Sequence, residues 1–337
     1  MEVTPNPNTA QGDKKKKGVL SRRGLLKGLG STVLGIGAIT LTDAALRLHR
    51  KRDSVLRALT GQKHVTTEAT ENARDFLRET YGIEVQFGDA RDERNFFAND
   101  LSEGETIQSL QMLIEEMGKY PSDFFVRNKL VVIRIAKNFQ IGSTIAPKAV
   151  AGFARNDVRI IGLSFAWENS DFFRHAFHHE MHHVLDYWNH GEQTNDERWE
   201  QIHEGCTCVP NVRRKDFDEY KLEEYGRSFI NAYGESSALE ERAEFAAMMM
   251  VPRKHASFLL RLQREQEVDR LVLERKYGAM KQDYLDWSDG KMDQAYWDAI
   301  IEIGKDDIES EEQTSWYGED EGFDEADVYE YEKLKTK

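Results

Sequence analysis

The chain predicts an α+β domain: a small twisted mixed sheet, one functional helix lying against it, and a mainly helical C-terminal lobe. Three observations lead there. Residues 129–136 (KLVVIRIA) form a short apolar run rich in Val and Ile, and residues 150–155 and 158–165 are two more strand-like runs flanking the turn dipeptide Asn156-Asp157. A histidine-rich segment with helix-start and helix-stop signals follows directly. Beyond it, apolar residues recur at helical spacing along most of the C-terminal half.

Taken in order, residues 105–119 place Ile107, Leu110, Leu113, Ile114 and Met117 on one helical stripe. The run 129–136 reads as a largely buried strand, and the two runs around Asn156-Asp157 read as a hairpin. Asn169-Ser170-Asp171 supply N-cap chemistry for a helix over about 171–188, and Gly191 supplies its stop. Ser236 or Ser237 caps a later helix that carries Glu240, Glu241 and Glu244. Residues 256–277 continue helical with Leu259, Leu260, Leu262, Val268, Leu271 and Leu273, and a short helix over 291–301 follows the turn Ser288-Asp289-Gly290.

Three regions differ in composition. Residues 1–52 read as targeting sequence, 53–304 as one catalytic-size domain, and 305–337 as a strongly acidic tail with Trp316, Tyr317, Phe323, Tyr329 and Tyr331 interspersed. The 337 residues carry a formal charge of −14, and the longest lysine run, Lys14 to Lys17, is confined to the N-terminus, which argues against nucleic acid as a partner. Cys206 and Cys208 are the two cysteines; they are too few to hold a domain of this size together, and with His203 they make too small a loop-borne set for a second metal, leaving a strained local disulfide or two free thiols.

The segment Ser21-Arg22-Arg23-Gly24-Leu25-Leu26-Lys27 resembles the twin-arginine export signal, and a moderately apolar stretch from 28 to 46 follows. That resemblance implies the twin-arginine translocation machinery as a partner. It implies a periplasmic or extracellular location, with the protein either released or tethered to the membrane at its N-terminus. Thr42-Asp43-Ala44 offers only a weak small-x-small cleavage site.

His178-His179-Glu180-Met181-His182-His183 contains H-E-x-x-H in one register, His179 to His183. On a helix those two imidazoles are about 6 Å apart along the axis and share a face, so both can bind one ion, for which zinc is the natural choice. Glu180 is then placed to take a proton from water as a general base. The pair His178 and His182 lacks that base, and His175 stands about 12 Å from His183, too far to share an ion with it. A hairpin before such a helix frames a zinc peptidase cleft in which the outer strand can take an extended peptide by β-addition. A third ligand is required. Asp186 is about 10 Å from His179 along the helix and cannot supply it, so it reads as a carboxylate that orients a ligand imidazole. Downstream, Glu240 and Glu244 share one helical face that runs into Phe245-Ala246-Ala247-Met248, and buried carboxylates there need a cation; periodicity does not say which is the ligand.

HEMHHVLDY and YGESSALEERAEFAAMM resemble the paired motifs H-E-x-x-H-x-x-D and Y-(A/G)-x-x-x-x-x-E-x-x-A-E of gluzincin-type zinc metallopeptidases related to the catalytic domain of anthrax lethal factor. The likeness spans roughly residues 129 to 250. It departs from the lethal-factor pattern at Glu241-Arg242, where that family has two aromatic residues. The resemblance implies a zincin-like fold and one zinc per chain held by His179, His183 and Glu240. It further implies Glu180 as base, Tyr233 as an oxyanion-stabilising hydroxyl and Glu244 on the outer nitrogen of a ligand histidine. The expected activity is peptide-bond hydrolysis on a peptide or protein substrate. Two rival expectations share the motif: a non-hydrolytic metal-binding protein that recognises a partner, and a zinc amidase acting on cell-wall material.

Overall fold

A computed structural model describes residues 43–60, 67–88, 96–143, 146–149, 151–155, 159–165, 170–191, 197–202, 228–235 and 237–312. The export-signal residues, Asn156-Asp157, Cys206, Cys208 and the tail beyond Glu312 lie outside them. Along the chain the elements are α1 (Asp43–Thr60), α2 (Thr67–Tyr81), β1 (Glu84–Phe87), β2 (Phe96–Asn99), α3 (Glu103–Met117), α4 (Phe124–Arg127), β3 (Val132–Ser143), β4 (Ala146–Ala149), β5 (Gly152–Arg155) and β6 (Ile160–Ser164). They continue with α5 (Ser170–His190), α6 (Glu197–Ile202), α7 (Ala232–Glu235), α8 (Ala238–Met250), α9 (Pro252–Leu262), α10 (Glu267–Trp287) and α11 (Gln294–Glu312).

The mixed sheet has the order β1-β3-β6-β5. β1 and β6 run parallel to β3, and β5 closes the hairpin antiparallel to β6, with Gly152 opposite Leu163 and Arg155 opposite Ile160. Ile133, Ile135, Ile161 and Leu163 are fully buried, as expected where helices cover parallel strands. The strand foreseen to end near residue 136 runs on to Ser143, because its polar second half pairs with β2 and β4. Backbone pairing extends it where side-chain patterning is silent.

α5 spans the foreseen helix and slightly more. Its apolar residues Phe173, Ala176, Phe177, Met181, Val184 and Leu185 recur at three- and four-residue steps and are buried, with α5 lying against β5 and β6. Burying a side chain such as Phe177 or Met181 stabilises by about 1.5–3 kcal/mol. The helix stops where foreseen: Gly191 has φ 89°, and its N–H donates to Tyr187 O at 2.9 Å.

Elsewhere tertiary context redraws the boundaries. The helix expected over 256–277 is two, α9 and α10, with a turn between Leu262 and Glu267. The short helix expected at 291–301 runs from Gln294 to Glu312, past the domain limit placed at 304. α1 crosses the limit placed at 52, and its Arg52 is buried with the guanidinium over the C-cap Gly118 of α3, where a cation suits the negative end of the helix dipole. Among the described residues no helix is long and apolar enough to cross a membrane.

Candidate metal centre

α8 is the element that completes the site. Ser237 caps it, accepting from Glu240 N at 3.2 Å, and every residue from Glu241 to Met250 is buried, so the helix runs through the interior along α5. The cap fixes Glu240 in the first turn, facing the histidines of α5. Glu240 Oε2 lies 3.1 Å from His179 Nε2 and 3.2 Å from His183 Nε2, and the two Nε2 atoms are 3.1 Å apart. Three ligand atoms held at roughly 2.0–2.1 Å by one tetrahedral zinc stand roughly 3.3 Å from each other. The observed triangle, with two imidazoles and one carboxylate as donors, fits that ion.

Glu244, one turn further along α8, is buried and turned to the other side of His179. His179 Nδ1 lies 2.7 Å from Glu244 Oε1, a close ionic contact whose angle falls short of a straight hydrogen bond. Glu244 also accepts from Asn231 Nδ2 at 2.7 Å and lies 3.0 Å from His175 Nε2. Burial alone would raise its carboxyl, but His175 and His179 overrule it and hold it well below the usual range. His179 shows the reciprocal effect: burial works against its charge, yet Glu240 and Glu244 raise it well above an ordinary histidine. A metal at Nε2 must displace that proton.

Glu180 projects toward the sheet edge. A Cβ added at Gly152 of β5 would come within 2.6 Å of Glu180 Cγ and 2.9 Å of its Oε1, so the carboxylate occupies the space left by the missing side chain. Burial raises the Glu180 pKa, His179 and His183 pull it back, and Glu240 and Glu244 add to the rise. A carboxylate raised in this way is a better proton acceptor near neutral pH. The Tyr233 ring, on α7, lies 5.7 Å from the His179 ring at 45° and is half-buried.

The remaining histidines of the run have structural neighbours. His182 is fully buried between Tyr284 and Trp287, and burial lowers its pKa to about 3, so it belongs to the core face. His178 Nδ1 accepts from Tyr120 Oη at 2.7 Å, while its Nε2 lies 2.7 Å from the fully buried Glu116. Lys119 and Arg174 also pair with Glu116, which they and His178 hold below the usual carboxylate range against the effect of burial.

Three side chains differ from the sequence expectation. Asp186 does not hold a ligand imidazole: its oxygens accept from Arg242 Nη2 at 2.6 Å and contact His190 Nδ1 at 2.8 Å. Glu241 and Arg242, singled out only as a departure from an aromatic pair, are both buried. Glu241 accepts from Trp199 Nε1 at 2.8 Å and pairs with the fully buried Lys276, and Arg242 ties α8 to α5 through Asp186. The signal available in the sequence was charge complementarity between separated buried positions, which no local periodicity exposes.

No protein-family model and no curated protein matches the sequence. A solved structure similar to this one is described as a "putative zinc-binding metallo-peptidase" from Bacteroides caccae; it is 15% identical, with 72% of this chain and 96% of that chain covered at a TM-score of 0.45.

Proposed function

We propose that the protein is an exported zinc-dependent metallopeptidase that hydrolyses peptide bonds. The observation that carries this is the triangle of His179 Nε2, His183 Nε2 and Glu240 Oε2, each pair 3.1–3.2 Å apart, with the Glu180 carboxylate one residue away against the edge strand. His179, His183 and Glu240 would hold the ion. Bound there, zinc supplies Lewis-acid activation of water and of a substrate carbonyl. Glu180 takes the proton of the attacking water and returns it to the leaving amine. The Tyr233 hydroxyl donates to the oxygen that gains charge in the transition state.

Among the described residues strand β5 is an edge of the sheet, which supports substrate binding by strand addition. In its antiparallel pairing with β6, Ser164 N donates to Ala151 O at 2.7 Å; the alternation of such pairs turns the backbone groups of Gly152 and Ala154 outward, beside Glu180. An extended peptide paired there would lie along the metal centre. Export through the twin-arginine pathway, with release or N-terminal tethering, is proposed from the signal-like residues 21–27 alone.

Glu180→Gln is expected to keep about one zinc per chain and lose about a thousandfold in kcat on a proteome-derived peptide library, within the usual range for a general base. Parental turnover by that variant would sink the assignment. Glu240→Ala is expected to lose zinc, Glu244→Ala to weaken it, and His182→Ala to retain it, each read by metal analysis after dialysis. One zinc per chain with no turnover on peptides, but release of fragments from purified sacculi, would move the substrate to cell-wall amides.

A further inference from the structure

His175 stands one helical turn before His179 on the same face of α5. It cannot reach an ion shared with His183, yet it is half-buried among groups that touch the candidate metal centre. Its Nε2 lies 3.0 Å from Glu244 Oε2, and its Nδ1 lies 3.2 Å from Lys254 Nζ in the first turn of α9. α8 and α9 are separated by Val251 alone, so the corner that ends one helix places Lys254 beside the ring of His175.

The donor inventory fixes the direction of each contact. An ammonium only donates, so His175 Nδ1 facing Lys254 is the acceptor, and the proton of the neutral ring sits on Nε2. That N–H faces a carboxylate, which only accepts. The other side of the same carboxylate faces His179 Nδ1 at 2.7 Å, and Asn231 Nδ2 donates to it at 2.7 Å. A neutral His179 with its proton on Nδ1 has its lone pair on Nε2, directed at His183 Nε2 and Glu240 Oε2. We infer that His175 is a positioning residue of the metal centre: it holds the Glu244 carboxylate that sets the tautomer and ring orientation of His179, and Lys254 in turn sets the tautomer of His175. This rests on the metal reading above.

His175, His179 and Glu244 also lie close enough to hold an ion themselves. Two facts argue against a second metal there. A neutral imidazole has one lone pair, and His179 uses it at Nε2 for the first site. Lys254 adds a positive charge at the same trio.

The test is zinc affinity by chelator competition on the full chain, with cobalt(II) absorption as a second readout of the ligand field and thermal unfolding of the metal-free protein as a check of folding. His175→Ala is expected to weaken zinc by about 10–100-fold and to alter the cobalt spectrum. His175→Gln, whose amide N–H can still donate to Glu244, is expected to recover most of that loss. Lys254→Met is expected to weaken zinc by about tenfold, the lower end of the same range. If the parent binds zinc and His175→Ala binds it within about twofold with an unchanged cobalt spectrum, the inference is overturned while the metal reading stands. Should His175→Ala fail to fold, parental affinity in both His175→Gln and Lys254→Met combined with an unchanged cobalt spectrum in Lys254→Met would overturn it equally. A parent that binds no zinc overturns the metal reading itself, and this inference with it.

Discussion

Gly152 and Arg242 each decide something that no motif announces. At Gly152 the missing side chain is the space that Glu180 fills, so Gly152→Ala must push the carboxylate or the edge strand by several tenths of an ångström. The expected result is unchanged zinc content with kcat lower by about 10–100-fold, since misplacing a reacting group by about 1 Å costs on that order. Peptide kinetics with parallel metal analysis would check it, and parental kcat would mean that Glu180 has slack. Arg242 is fully buried against Asp186, and a buried charge that loses its partner is costly. Arg242→Met should destabilise by about 3 kcal/mol, softened by the His190 contact that Asp186 keeps, and Asp186→Asn in the same background should recover part of that. Urea unfolding of the four proteins of the cycle measures both terms.

α3 shows how a local signal and a distant partner combine at the level of one element. Ser102 Oγ accepts from Glu105 N at 3.3 Å, and the Glu105 carboxylate accepts from Ser102 N at 2.8 Å, a capping box written in the sequence. Lys137 of β3 adds a contact at 2.6 Å that no local pattern foretells. The Lys137 hydrogen bond, followed by those from Ser102, lowers the Glu105 pKa to about 2. A depressed folded-state pKa contributes stability above the ordinary value of about 4.5, and that contribution is lost as pH falls toward 2. Ser102→Ala is therefore expected to cost about 1 kcal/mol at pH 7 and less at pH 3, which thermal unfolding at the two pH values would show. An equal cost at both would remove the carboxylate from the account.

Across the whole molecule, buried charge ties the two helices of the candidate metal centre to the rest. Glu116 of α3 joins His178 and Arg174 of α5, and Lys119, which also pairs with Glu116, donates to Met250 O at the end of α8 at 3.0 Å. Both helices that carry proposed ligands are thus held from one fully buried carboxylate, so a metal bound there would be coupled to folding. Zinc at about 100 times its Kd should stabilise by about 2.7 kcal/mol, or about 5–10 °C in Tm, and a chelator should remove that gain. No Tm change on chelation would count against the site. By itself the sequence determined the local parts: the hairpin before α5, the spacing of His179 and His183 on one helical face, the stop at Gly191 and a serine cap at 236 or 237, which the structure places on Ser237. These depend on residues within a few positions of each other, where rotation per residue and cap chemistry leave few choices. Helical spacing singled out Glu240 and Glu244, the resemblance assigned their separate roles, and the tertiary structure decided their placement on opposite sides of His179. It also decided the extension of β3, the break between α9 and α10, the pairing of Asp186 with Arg242 rather than with an imidazole, and the chain from Lys254 through His175 to Glu244. The physical reason is common to all of them: a buried charge or an unpaired strand is satisfied by whichever partner the fold brings within about 3 Å, and that partner is far away in sequence.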